Sequence, residues 1–567
     1  GDFSSTGYTL PRNTEAGYTN TNTGRDYVGW TFRKQPKFFD IVTYSGTGSN
    51  QNISHNLGLV PGMIIIKDTS ASNAWTVYHR GVDSSAPEDY SLNLGSDAAR
   101  DDATSYFNDT APTSSVFTVG TTARTNNNGS TYVAYLFAHN NDDGGFGEPG
   151  DQDIIKCGSY TGNTSGTEVN LGFEPQFVMI KKSSASESWY VYDSMRGVAT
   201  GGANSQDKKL RWNSTGAEGA VASPIIAFSA NGFILESTDN EINGSGTYVY
   251  MAIRRGGMQT PTTPSDVFAI NIRSSSDGEG KYTSGFPVDF SIAKVYDETG
   301  NFFAGTRLIN QHLQTNDNVA AGTSASDYEW DHNDGVSIGA SGAFFGSSKD
   351  IINYMWKRAR GYFDVVTFTG NGTAGRTITH NLGVAPEMMW VKLRNASNVD
   401  WAVYHKDYYQ GRFYLNENSA YSATSGPWNS TLAGASSFTV GNGSTTNLDT
   451  YNYVGYLFAT AAGVSKIGSY TGNGSTTGPT VDCGFSGSPS FILIKRTAST
   501  GSWYVFDSAR GIADGNESQI YLNNTSAEQT ASDQIDPTSS GFQLVTNATG
   551  LNADGETYIF YAIAAIS

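Results

Sequence analysis

One phrase returns four times in this chain and limits what it can fold into. WTVYHRG at 75 to 81 recurs as WYVYDSMRG at 189, WAVYHK at 401 and WYVFDSARG at 503. A fixed phrase at long, regular intervals marks repeated modules, so the chain divides into copies before any strand is assigned. Each copy opens on a strand and turn: FFDIVTYSG (38 to 46) matches YFDVVTFTG (362 to 370), and KCGSYTGN (156 to 163) matches KIGSYTGN (466 to 473). A turn, then an apolar strand ending in Lys, comes next in ISHNLGLVPGMIIIK, VNLGFEPQFVMIKK, ITHNLGVAPEMMWVK and VDCGFSGSPSFILIKR. The Trp phrase, a Leu/Asn strand, a Phe strand and a Tyr-led closing strand such as TYVAYLFA or TYIFYAIA complete the copy. That makes at least six strands per copy.

Residues 281 to 360 read as a divergent copy, with SGFPVDFSIAKVYD and INYMWKRARG in the places of the Lys-ended and closing strands. The division expected is residues 1–38 as the C-terminal part of a truncated module, 39–140 as module A1, 153–257 as B1, 266–361 as the divergent module C, 362–461 as A2 and 464–567 as B2. Asp40 and Asp364 lie 324 positions apart, so a triplet of modules of about 108 residues was duplicated. The opening Gly1-Asp2-Phe3 reads as a piece of something longer or a processed product. Short Gly/Pro/polar linkers such as GGMQTPTTPS predict modules that touch like beads on a stiff string.

Gly/Asn/Ser turns every 8 to 15 residues, no helical period, and 32 Tyr and 29 Phe at 16% charged residues predict an all-β chain. Its units are tandem antiparallel β-sandwich modules, jelly-roll or lectin-like, of about 100 residues. The Trp phrase then reads as the core plug of each sandwich rather than a sugar platform. The Asp-Ser-x-Arg-Gly that follows it in the B copies reads as a local turn with an Asp and Arg pair. A net charge of −18 would repel a phosphate backbone, so nucleic acid is not an expected partner. Apolar runs such as MIIIK and FILIK are only strand length, and no membrane insertion is expected. Cys157 and Cys483 sit at different places in different modules and imply no disulfide framework.

Little points to chemistry. His55 and His79 match His380 and His405 in the other A copy, but two His without a third ligand make a poor metal site, and backbone-bonded turn residues are the better reading. WDHNDG at 330 to 335 starts like a calcium loop, making Asp331, Asn333 and Asp334 candidate metal ligands, although its Gly comes one position early and the twelfth position is Gly342. No cofactor is expected beyond room for such a calcium ion. A copy that departs from its siblings has either decayed or been assigned a job, so Trp330, His332 and Trp356 of module C are the candidate ligand-binding residues. HExxH and phosphate-loop motifs are absent from the sequence, and the A and B copies share no acid at an equivalent place; a non-enzyme is expected.

The linked phrases FFDIVTYSGTG, ISHNLGLVPGMIIIK, NAWTVYHRG, KIGSYTGNGSTTGP, GSPSFILIKR, SWYVFDSARG and TYIFYAIA resemble an uncharacterised repeat module of virion and tail-fibre proteins in marine phages of cyanobacteria and pelagic bacteria. The resemblance covers essentially the whole chain and is weakest over 258 to 360. It implies a structural and adhesive component of a virion appendage, located on the particle outside the cell. Implied partners are other virion proteins and a host-surface glycan or receptor, with a homotrimer as the implied assembly. It carries over no catalytic residue. Two alternatives stand beside it: an extracellular carbohydrate-binding or carbohydrate-degrading protein, and a purely structural capsid-decorating spacer.

Overall fold

A computed structural model describes residues 2–4, 7–9, 27–145, 152–162, 167–198, 208–220, 225–229, 231–237, 239–255, 259–274, 280–309, 311–322, 328–330, 332, 334–338, 349–424 and 426–566. The chain forms two compact units, Gly1–Leu94 with Arg100–Gly145, and Gly95–Ala99 with Phe146–Ser567.

The first unit holds the A1 sandwich. Its large sheet runs in the order Phe39–Ser45, Thr131–Ala138, Pro61–Asp68, Thr76–His79, Tyr90–Asn93, Asp101–Asp102, and its small sheet pairs Gln51–Ser54 with Val116–Val119. Every pairing is antiparallel. First, last and third strands side by side in one sheet, with second and seventh in the other, is jelly-roll nesting. The fourth to sixth strands instead continue the large sheet as a meander.

The second unit repeats this plan four times. In A2 the large sheet is Phe363–Thr369, Asn452–Phe458, Met388–Leu393, Ala402–His405, Phe413–Tyr414, over a small sheet of Arg376–Thr379 and Ser437–Val440. B2 uses Ser465–Thr471, Thr557–Ala564, Pro489–Arg496, Trp503–Asp507, Glu517–Tyr521 and Gln529–Ser532, and B1 and C follow the same strand order. The turn ahead of each Lys-ended strand carries a glycine with positive φ at the matching place, Gly58 (76°), Gly172 (78°), Gly383 (78°) and Gly484 (71°). An L side chain is strained there, which is why the phrase keeps NLG or its equivalent. Both cysteines are buried.

The apolar runs in the Lys-ended strands bury both faces. In A2, Met389, Val391 and Leu393 face the module's own small sheet together with Ile378 and Phe438, while Met388 and Trp390 belong to a different cluster. In B2, Ile492 and Ile494 face inward and Phe491 and Leu493 outward. In C, Ala293 and Val295 face inward, Phe290 and Ile292 outward. The outward residues of C, A2 and B2 form one continuous core. These three modules are therefore fused through the backs of their large sheets and are not beads joined by linkers.

In A2 and B2 the Trp of the phrase belongs to that shared core, which corrects its reading there as a sandwich plug. Trp401 and Trp503 lie in it, whereas Ala402, Tyr404 and Phe506, one position out of phase, fill the sandwiches. Period-two alternation assigns alternate residues to opposite faces but does not say which face is the sandwich interior.

Candidate functional site at the module joints

One joint is built three times around the shared core. The Ala321 N–H of C donates to Arg394 O of A2 (2.7 Å), the Tyr421 N–H of A2 to Thr497 O of B2 (2.8 Å), and the Glu528 N–H of B2 to Tyr296 O of C (2.7 Å). The circuit closes. Trp401 Nε1 donates to Gln314 O of C and Trp503 Nε1 to Tyr414 O of A2, each at 2.9 Å.

The Lys at the end of each Pro-led strand serves the same joint. Lys392 Nζ donates to Val399 O (2.8 Å) and to Asn318 O of C (3.3 Å), Lys294 to Gly300 O (2.5 Å) and to Thr525 O of B2 (3.4 Å), and Lys495 to Gly501 O. Lys181 in B1 does likewise with Glu187 O (2.6 Å) and Asp97 O (2.9 Å). All four side chains are sealed. Burial disfavours the charged ammonium and pulls Lys181, Lys294 and Lys392 down to about 8 and Lys495 to about 7.

B1, C and A2 meet at an ionic hub centred on Arg358, whose side chain is 1% exposed. Its guanidinium grips Glu174 of B1 with both terminal nitrogens (2.7 and 2.5 Å) and donates from Nε to Asp364 of A2 (2.5 Å). Its backbone N–H donates to Asp289 Oδ2 (2.7 Å), and Arg255 Nη2 donates to Asp289 Oδ1 (2.6 Å). Burial alone would raise the Asp289 carboxyl, but Arg255, Arg358 and Arg307 hold it below the ordinary range. The fork of a guanidinium suits such bidentate contact, and taking away one partner strands the other charges in the interior.

The Asp and Arg pair expected in the B copies is present: Arg196 Nε donates to Asp193 (2.6 Å) and Arg510 Nε to Asp507 (2.7 Å). In B2 the pair also serves the circuit, since the Tyr354 OH of C donates to Asp507 Oδ2 at 2.7 Å. Between B1 and A2 lies a polar cleft of about 130 Å³, lined by Glu168, Asn231, Glu236, Arg376, Arg394 and Asn452. Ligand pockets run to about 300–1,000 Å³, so this cleft suits water or a small polar group.

The structure does not bring the candidate ligand residues of C together. Trp330 is 2% exposed and stacks on Tyr328 (5.2 Å) inside the sandwich, while Trp356 is fully buried in the shared core, its Nε1 donating to Tyr561 OH (3.3 Å). The two indoles thus occupy different cores, and neither is a surface platform. His332 Nε2 sits 2.8 Å from Ser337 Oγ. Asp331 and Asn333 lie outside the described residues, and Asp334 is engaged with Lys281 at 2.7 and 2.8 Å. The paired histidines are tied to backbone: the Leu57 and Leu382 N–H groups donate to Nδ1 of His55 and His380, and Gly81 and Asp407 to those of His79 and His405. Sequence reasoning missed the hub, whose trace was a basic and acidic pair six positions apart in both triplets, Lys34 with Asp40 and Arg358 with Asp364.

Fold and joints together define a multi-module all-β protein held by inter-module cores and buried ion pairs. The chain belongs to the family described as a domain of unknown function (DUF7483), whose model matches residues 1–255 and 263–566. No curated protein and no solved structure matches the chain.

Proposed function

We propose that the chain is a structural and adhesive component of a phage virion appendage, a tail fibre or similar, with no catalytic role. The observation that carries this reading is the closed circuit of joints, in which three sandwiches share one core and three backbone bonds of 2.7 to 2.8 Å. Fusion of that kind suits a load-bearing part that must hold its form outside a cell. The virion setting rests on the resemblance of the repeated phrases to marine phage appendage modules. In this reading other virion proteins anchor the chain, exposed loops contact a host-surface glycan or receptor, and the assembly is a homotrimer without nucleic acid or membrane insertion.

Immunogold labelling of purified particles with antibody to the full chain tests it. Gold on appendages, with loss of host adsorption when the antibody is present, is the expected outcome. Absence from particles overturns the reading, and label confined to the shell favours a decorating spacer.

A further inference from the structure

The chain of B2 crosses from its large to its small sheet between Gln529–Ser532 and Ile535–Pro537. Carboxylates gather there. Glu517, which opens the neighbouring strand opposite Ser532, Asp533 of the crossover and Asp536 of the strand that follows it place carboxylate oxygens within 4.8 Å of one another. Glu517 is only 2% exposed. Its Oε2 accepts from the backbone N–H groups of Gln534 (2.9 Å) and Ile535 (3.4 Å), which leaves Oε1 buried without a hydrogen-bond partner. Asp536 Oδ1 is in the same condition. The surroundings add negative charge, since the carboxylate of Asp514 also lies close enough to act on Asp536.

A buried polar atom left unpaired is destabilising, more so when charged, and clustered like charges add repulsion. A bound cation removes both costs. The gathered groups are oxygens with no His or Cys among them, which selects a hard ion over zinc or copper. Asp533 is exposed and Asp536 half-buried, so the site has an open side where water can complete the irregular shell of six to eight oxygens that calcium accepts and magnesium does not. We propose that Glu517, Asp533 and Asp536 form a calcium site that clasps the crossover between the two sheets of B2. The site is independent of the virion reading and of the 330 to 335 loop in C.

The test is calorimetric titration of EDTA-stripped full-length chain with CaCl2, with hydrogen exchange followed across residues 529 to 537. Calcium is expected to bind and to slow exchange over that segment, and Asp533→Asn with Asp536→Asn to weaken this binding at least about tenfold. Neither side chain is in the core, and Asp533→Asn alone, at the exposed ligand, gives the same direction should the double variant fold poorly. No binding up to about 1 mM CaCl2, or binding and protection unchanged in the variants, overturns the proposal. Equal protection by MgCl2 overturns the choice of calcium.

Discussion

Modules A1 and A2 carry nearly the same phrases and the same strand order, yet their outer faces differ. Trp401 and Val365 are fully buried, whereas Trp75 is half-buried, stacked on Tyr135 at 6.4 Å, and Ile41 is 38% exposed. The hub differs in the same sense: Arg358 is 1% exposed beside Asp364, while Lys34, at the matching place beside Asp40, is 55% exposed. The sandwich of A1 is nonetheless complete, with Ile64, Ile66, Tyr78, Phe117 and Tyr132 buried. A sandwich that closes with its Trp partly outside shows that the phrase is written for the joint.

The two modules should differ most in their response to substitution at the hub. Arg358→Met leaves Glu174, Asp289 and Asp364 buried without their shared cation and is expected to destabilise the second unit by about 3–5 kcal/mol, whereas Lys34→Met costs at most about 1 kcal/mol. Denaturant unfolding resolved by hydrogen exchange in each module separates the two, and equal losses would refute the distinction. Trp401→Ala is expected to cost about 3–5 kcal/mol, and Trp75→Ala clearly less, because part of its ring is already in water. The readout is protection of Met388–Leu393 against Pro61–Asp68.

The joint lysines give a pH test. Their folded pKa values of about 7 to 8 lie below the ordinary lysine value near 10.4. Between those limits the unfolded chain holds protons that the folded chain does not, so stability rises as pH goes from about 8 to about 10. The burial penalty returns as pH falls through the folded values. Lys392→Met with Lys495→Met should flatten the slope of denaturation midpoint against pH. A midpoint that falls over this range in the parent chain would contradict the assignment. The smallest difference between the two modules is expected at the shared turn: Gly58→Ala meets no atom within 4 Å, and Gly383→Ala meets the flexible Arg360 side chain at 2.8 Å. Both then pay mainly for positive φ, about 1–2 kcal/mol, with the A2 change slightly worse by melting temperature.

Much of the architecture was legible in the repeated phrases. Copies, subtypes, strand count, and the Asp193 and Arg196 pairing follow from residues close in sequence. The joints were not legible for two physical reasons. Strands such as MMWV and FILI are apolar on both faces, so alternation could not say which side met another module. The partners of Trp401 and Trp503 are the carbonyls of Gln314 and Tyr414, and a backbone acceptor leaves no mark in a sequence. Trp330 and Trp356 drew notice as aromatics in a divergent copy, but composition does not reveal that both are sealed. Glu517 stands 16 positions before Asp533, in an earlier strand, and the crossover is what brings it to Asp533 and Asp536.

The closed circuit of C, A2 and B2 is a three-part assembly made within one polypeptide. Its parts are always present in equal number and at an effective concentration fixed by short linkers, so dilution does not dissociate it. A symmetric trimer would have to repeat any change three times. Here each place in the ring can vary alone, and among the described residues the carboxylate cluster around Glu517 sits at one of them.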